Sequence, residues 1–250
     1  IIIILILSQK MEPITAICAV FISFILQMLI IFWYLRQHLQ FKIKNIKWLL
    51  SHTGFYMFSN YVANISFMVS YAVLPILVGT MYSLKDAGWY AACMILIDAI
   101  RTLPRMIGMH ALPRLVKIND KSKRRAFKVN IMIVTILIML SVSVVLYFMG
   151  DWLIPLLFGQ DFEGAVIVFK TMLLGLVFAS AFGVGQAIIG AESKGWQITY
   201  APITLMITTL ILSVILIPQY GALGAAYVWV GVHGAAICVS AICMALPAKA

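Results

Sequence analysis

The chain has 250 residues, of which 64% are hydrophobic and only 10% charged, and its mean hydropathy is +1.06; this excludes a soluble domain and indicates a polytopic membrane protein. Apolar runs of about 20 residues, in place of ten-residue alternating segments, favour an all-α helical bundle over a barrel. The formal charge of +10 would suit nucleic acid if the basic residues formed a stripe on a soluble fold, but most lie in alternate loops between apolar runs, so no nucleic-acid partner is expected.

The chain opens with IIIILILSQK, without an initiator Met or a basic n-region, so this stretch is not a signal peptide. It reads as the end of a helix belonging to a longer protein. Seven complete spans follow, near residues 11–35, 54–80, 88–110, 129–150, 165–190, 196–217 and 221–246. The first ends in Phe32, Trp33 and Tyr34, an aromatic belt at a membrane interface. The next stretch, FKIKNIKWLL from Phe41 to Leu50, alternates apolar and basic residues; it fits a segment lying on the membrane surface or a plain basic linker. The second span is polar for a membrane helix. Asn60 and Asn64 are one turn apart, and Pro75 frees the Tyr71 carbonyl. Such groups could form a sodium site, but they are also ordinary interhelical glue.

The third span carries the sharpest signal. Asp98, Arg101 and Arg105 fall within roughly a 60° arc of one helix, while Leu96, Ile100, Leu103 and Ile107 face the other way. A charge near a helix centre costs about 2.5 to 3.5 kcal/mol, and each Ile or Leu returns only about 0.5. Four Ile and two Leu therefore do not offset three charges. The charged side must face a bundle interior or a water-filled cavity. Asp98 and Arg101 are three residues apart and could neutralise each other as a structural pair, which leaves Arg105 without a partner on its own helix. Pro104 between the arginines removes a backbone bond and frees the Ile100 carbonyl, so a kink is expected.

Residues 151–164, DWLIPLLFGQDFEG, read as a short connection too small for a catalytic domain. In the following span, Gly175, Ala179, Gly183 and Ala187 recur every four residues, a close-packing face. Lys170 lies near that helix's end, where it can snorkel to headgroups or line a cavity. The last two spans meet at IPQYGALGAA, where Pro218 stops one helix and Gly221 and Gly224 allow a tight return. Cys18, Cys93, Cys238 and Cys243 all lie in apolar spans and read as small buried hydrophobes. No Cys or His cluster has metal-ligand spacing, so no metal and no cofactor are expected, and His233 stands alone in its helix.

If the helices alternate, one side carries thirteen of the 18 basic residues, including Arg114, Lys117, Lys121 and Lys123 to Arg125, and the other carries only Lys10 and Lys85. The basic loops are therefore expected in the cytoplasm.

The segment GWYAACMILIDAIRTLPRMIGMHALPRLVK (88–117) resembles a helix of bacterial polysaccharide flippases, with its G-Y-x-x-A start and P-R-L end. LIPLLFGQDFEGAV (153–166) and LIPQYGALGAAYV (216–228) resemble two further segments of that family, in its order and spacing. Nearly the whole chain is similar to the C-terminal part of a Wzx-type O-antigen flippase, in the multidrug/oligosaccharidyl-lipid/polysaccharide exporter superfamily. The resemblance implies two helical lobes around a central cavity. Residues 1–35 would then hold the end of one helix and the last helix of an N-terminal lobe missing from this sequence, 36–53 a cytoplasmic basic linker, and 54–250 a C-terminal six-helix lobe. It also implies a substrate, an undecaprenyl-pyrophosphate-linked oligosaccharide, flipped across the bacterial inner membrane with Na+ or H+ as coupling ion. Arg101 and Arg105 fit the cationic substrate site by position, Lys170 more weakly, and Asp98, Asn60 and Asn64 remain for coupling or pairing. Arginine suits a phosphate because its rigid fork pairs bidentately. The alternatives are a drug/cation antiporter, which would want acidic membrane residues beyond Asp98, and a lipid II flippase. A membrane-embedded transferase would want catalytic groups in a large outer loop. No enzymatic activity is expected.

Overall fold

The computed structural model describes residues 13–36, 46–192 and 196–245, and every described element is helical. The helices are α1 (Pro13–Arg36), α2 (Ile46–Met81), α3 (Leu84–Ile100), α4 (Thr102–Lys117), α5 (Lys121–Phe158), α6 (Ala165–Ala191) and α7 (Gln197–Ala245), with a 3-10 turn at Gln160–Phe162. Four stretches are long and apolar enough to cross a membrane: Thr53–Met81, Ser122–Phe158, Ala165–Ala191 and Gln197–Met244. The protein is thus a multi-pass helical membrane bundle. The first five residues of the Phe41–Leu50 segment lie outside the described residues, and its last five belong to α2.

The chain divides into two compact units, 1–50 and 51–250. In the first, α1 is apolar along its length and ends in Phe32, Trp33, Tyr34 and Arg36. The second is built around α6, whose buried side chains run from Ala165 to Ile189. Small residues let neighbours approach α6 closely, as interhelical packing in a bilayer requires. A Cβ on Gly175 would meet the Trp229 ring at 2.5 Å.

Local chemistry explains the breaks. Ser83 caps α3 by accepting from the Asp86 amide at 3.0 Å, and Asp120 caps α5 by accepting from the Ser122 amide at 2.8 Å. The span expected at 88–110 is interrupted at Arg101, three residues before Pro104, which cannot bond back to Ile100. Arg101 keeps right-handed helical angles (φ −64°, ψ −12°), so the charged side chains stay on one side through the break. The connection expected at 151–164 is shorter. Helix α5 continues to Phe158, because Pro155 removes a single bond in its last turn. It stops at Gly159, whose φ of +90° suits glycine.

Helix α7 is two arms joined at Gly221, where φ is +57°. The arms return on each other: a Cβ on Gly224 would lie 2.3 Å from the Leu216 carbonyl oxygen, and one on Gly231 3.4 Å from Leu212. Asp86 fixes this corner. Its Oδ1 accepts from the Ala222 amide at 3.1 Å while its Oδ2 receives the Ser83 hydroxyl, so one carboxylate serves two helix N-termini.

Two expectations about small residues change. Cys93 and Cys243 are buried, but Cys18 and Cys238 are exposed on apolar helix faces, since only one stripe of each helix meets protein. The Gly175/Ala179/Gly183/Ala187 face is also divided. Gly175 packs on Trp229, whereas the other three border open space.

Candidate functional site

That open space is a cavity of about 1030 Å³ inside the 51–250 unit. Four helices wall it. From α2 come Asn64, Met68, Tyr71 and Pro75, at the three-to-four-residue spacing of one helix face. From α3 and α4 come Met94, Asp98, Arg101, Arg105 and Met109. From α6 come Gln186 and the small residues Ala179, Gly183 and Ala187, which leave the room. All three charges of the interrupted span therefore meet one cavity.

Arg101 is the most constrained of them. Its Nη1 donates to Asp98 Oδ1 at 3.0 Å. Its guanidinium lies over the Tyr71 ring at 4.9 Å and over the Trp229 ring at 5.3 Å. Such cation–π contacts strengthen where water is excluded. Tyr71 and Trp229 come from different helices and stack edge to face at 5.6 Å. His233 contacts both. Its Nδ1 lies 2.9 Å from the Trp229 carbonyl oxygen, which can only accept, so Nδ1 carries the proton. Nε2 then accepts from the Tyr71 hydroxyl at 3.1 Å. The imidazole sits 4.1 Å from the indole, and His233 is fully buried. The indole N–H of Trp229 has no hydrogen-bond partner among the described residues, so it is the ring's faces that are used.

Arg105 is exposed to the cavity and makes no ion pair among the described residues. The other residues singled out in the sequence are distributed differently. Asn64 lines the cavity but turns its amide back to the Asn60 carbonyl at 2.8 Å, and Asn60 lies outside the cavity lining. The serines of α2 bond to their own helix, Ser59 to the Phe55 carbonyl at 2.9 Å and Ser70 to that of Ser66 at 2.7 Å. Lys170 is not brought to the cavity. Its Nζ donates to Asp151 Oδ2 at 2.6 Å and lies over Tyr147 at 5.0 Å. Among the described residues no three His, Cys, Asp or Glu side chains are placed to hold a metal ion.

Tyr71, Trp229 and His233 escaped the sequence analysis as site residues. Tyr71 and His233 are 162 positions apart, and only the return at Gly221 brings the second arm of α7 back to α2. The signal that was available is a Trp and a His at four-residue spacing, facing one way from an otherwise apolar arm.

Chemically, the cavity offers two guanidinium groups, one carboxylate, two amides and an apolar remainder with several Met side chains. That combination suits an amphiphile with a multiply charged anionic group. The model of the family described as "Polysaccharide biosynthesis protein" matches residues 14–167, which is more than half of the chain and includes Tyr71, Asp98, Arg101 and Arg105. No curated protein and no solved structure matches. The chain belongs to the polysaccharide biosynthesis protein family.

Proposed function

We propose that the protein is a Wzx-type flippase that translocates an undecaprenyl-pyrophosphate-linked oligosaccharide across the bacterial cytoplasmic membrane, with its basic loops in the cytoplasm. The observation that carries this reading is the convergence of Arg101 and Arg105 on one cavity of about 1030 Å³. A charged headgroup crosses hydrocarbon only where protein supplies a polar path, and two arginines are worth keeping there only for an anion. The polyprenyl tail can remain in lipid. No bond is made or broken, so the protein acts as a transporter rather than an enzyme. A drug/cation antiporter would need cavity carboxylates, and here the only one among the described lining residues, Asp98, is already paired with a cation.

The test is complementation in a strain lacking its own flippase. Arg105→Ala should reduce surface polysaccharide per unit of membrane protein, and Arg105→Lys should restore part of it by keeping charge without the fork. Normal export by Arg105→Ala at normal protein level would contradict the proposal.

A further inference from the structure

We propose, resting on the reading above, that Asp98 is a resident counter-ion of Arg101 that an incoming pyrophosphate group displaces, while Tyr71 and Trp229 hold the guanidinium in place through the exchange. The two members of the pair are unequally fixed. The Arg101 side chain is 14% exposed and that of Asp98 is 54% exposed. Their hydrogen bond is a single one, from Nη1 to Oδ1, whereas a guanidinium fork can give a carboxylate or phosphate two. The position of Arg101 does not depend on Asp98. It rests on the rings of Tyr71 and Trp229, and His233 touches both, accepting from the Tyr71 hydroxyl at 3.1 Å and lying 4.1 Å from the indole. Removing the carboxylate leaves that platform intact.

Displacement has a driving force that the resting pair lacks. Asp98 supplies one negative charge and satisfies one arginine. A pyrophosphate supplies at least two, and Arg101 and Arg105, four residues apart, line the same cavity. Before binding, Asp98 reduces the cost of an empty cationic cavity within a membrane. After transfer it recaptures Arg101 and favours release. Tyr71 and Trp229 are positioning residues, because they act on the headgroup only through the guanidinium.

The test uses the purified chain in nanodiscs of neutral phosphatidylcholine, with inorganic pyrophosphate and farnesyl pyrophosphate as probes in calorimetric titration. Asp98→Asn should bind both probes about fivefold more tightly than the unmodified chain, the size expected for a half-exposed competing ion pair. It should also release farnesyl pyrophosphate more slowly. Equal or weaker binding by Asp98→Asn, with binding by the unmodified chain intact, would overturn the counter-ion role and leave the anion site standing. Absence of binding by both proteins would overturn the anion site itself. Equal affinity for the two probes would overturn a lipid-borne source of the pyrophosphate. Should Asp98→Asn fail to fold, phenylglyoxal labelling of the unmodified chain decides. Pyrophosphate should protect both Arg101 and Arg105 from the reagent, and protection of Arg105 alone would overturn the displacement.

Discussion

Asp98–Arg101 and Asp151–Lys170 are built from the same parts: one carboxylate, one cation and an aromatic ring beneath the cation. Their settings differ. Lys170 and Asp151 join two neighbouring helices, and the lysine rests on one ring, Tyr147, which is itself 46% exposed. Arg101 rests on two rings from two other helices, one of them fully buried, and faces a cavity that holds a second arginine. An ion pair inside an apolar span is therefore no guide to function by itself. What distinguishes the Arg101 pair from the Asp151–Lys170 fastening is the two-ring platform beneath the cation, together with the cavity and the second arginine that lines it.

That contrast can be broken at the platform, where the largest effect is expected. Trp229→Ala should destabilise the bundle by about 3 to 5 kcal/mol and deplete the membrane-inserted protein, because it empties a close-packed site against Gly175. Tyr147→Ala should change the level of protein little, by under about 1 kcal/mol, since its ring is half open. Thermal unfolding in detergent checks both. Similar losses for the two would remove the distinction between platform and fastening.

The next effect concerns charge. Arg105→Ala should lower normalised polysaccharide export at least about tenfold, whereas Lys170→Ala should leave it near normal. Quantitative surface staining against membrane immunoblots checks this. A smaller steric effect is expected at Gly183, which lines the cavity and where an added Cβ meets nothing within 4 Å. Gly183→Leu should therefore fold normally and impair export by filling the cavity, and unimpaired export would show that transport does not use this space. The smallest effect is on stability at the fastening. Lys170→Ala should cost no more than about 1 kcal/mol, as exposed or half-exposed ion pairs usually do.

Much of the bundle was legible because charges and prolines are costly in apolar helices. The cluster of Asp98, Arg101 and Arg105 revealed a polar face, and Pro218 with Gly221 marked the return of α7. Other features depend on what meets in space. Asp86 caps the second arm of α7 across 136 residues, a contact that no local pattern around it signals. The small-residue face of α6 looked like a packing seam; from Ala179 onward its missing volume is cavity. His233 looked isolated because its partners, Tyr71 and the Trp229 carbonyl, include a side chain from a distant helix and a backbone atom that no pattern advertises. Lys170 was placed by position in its helix, and its capture by Asp151 depended on α5 remaining helical beyond residue 150.

The most direct measurement is normalised polysaccharide export by the double variant Asp98→Asn with Arg101→Gln. Both charges vanish together, so no buried charge is left unpaired and the protein should reach the membrane. If Arg101 receives the anionic headgroup, export per molecule falls strongly despite normal protein level. Full export per molecule would contradict this, reduce Asp98 and Arg101 to a fastening like Asp151 and Lys170, and leave Arg105 as the cation that the cavity presents.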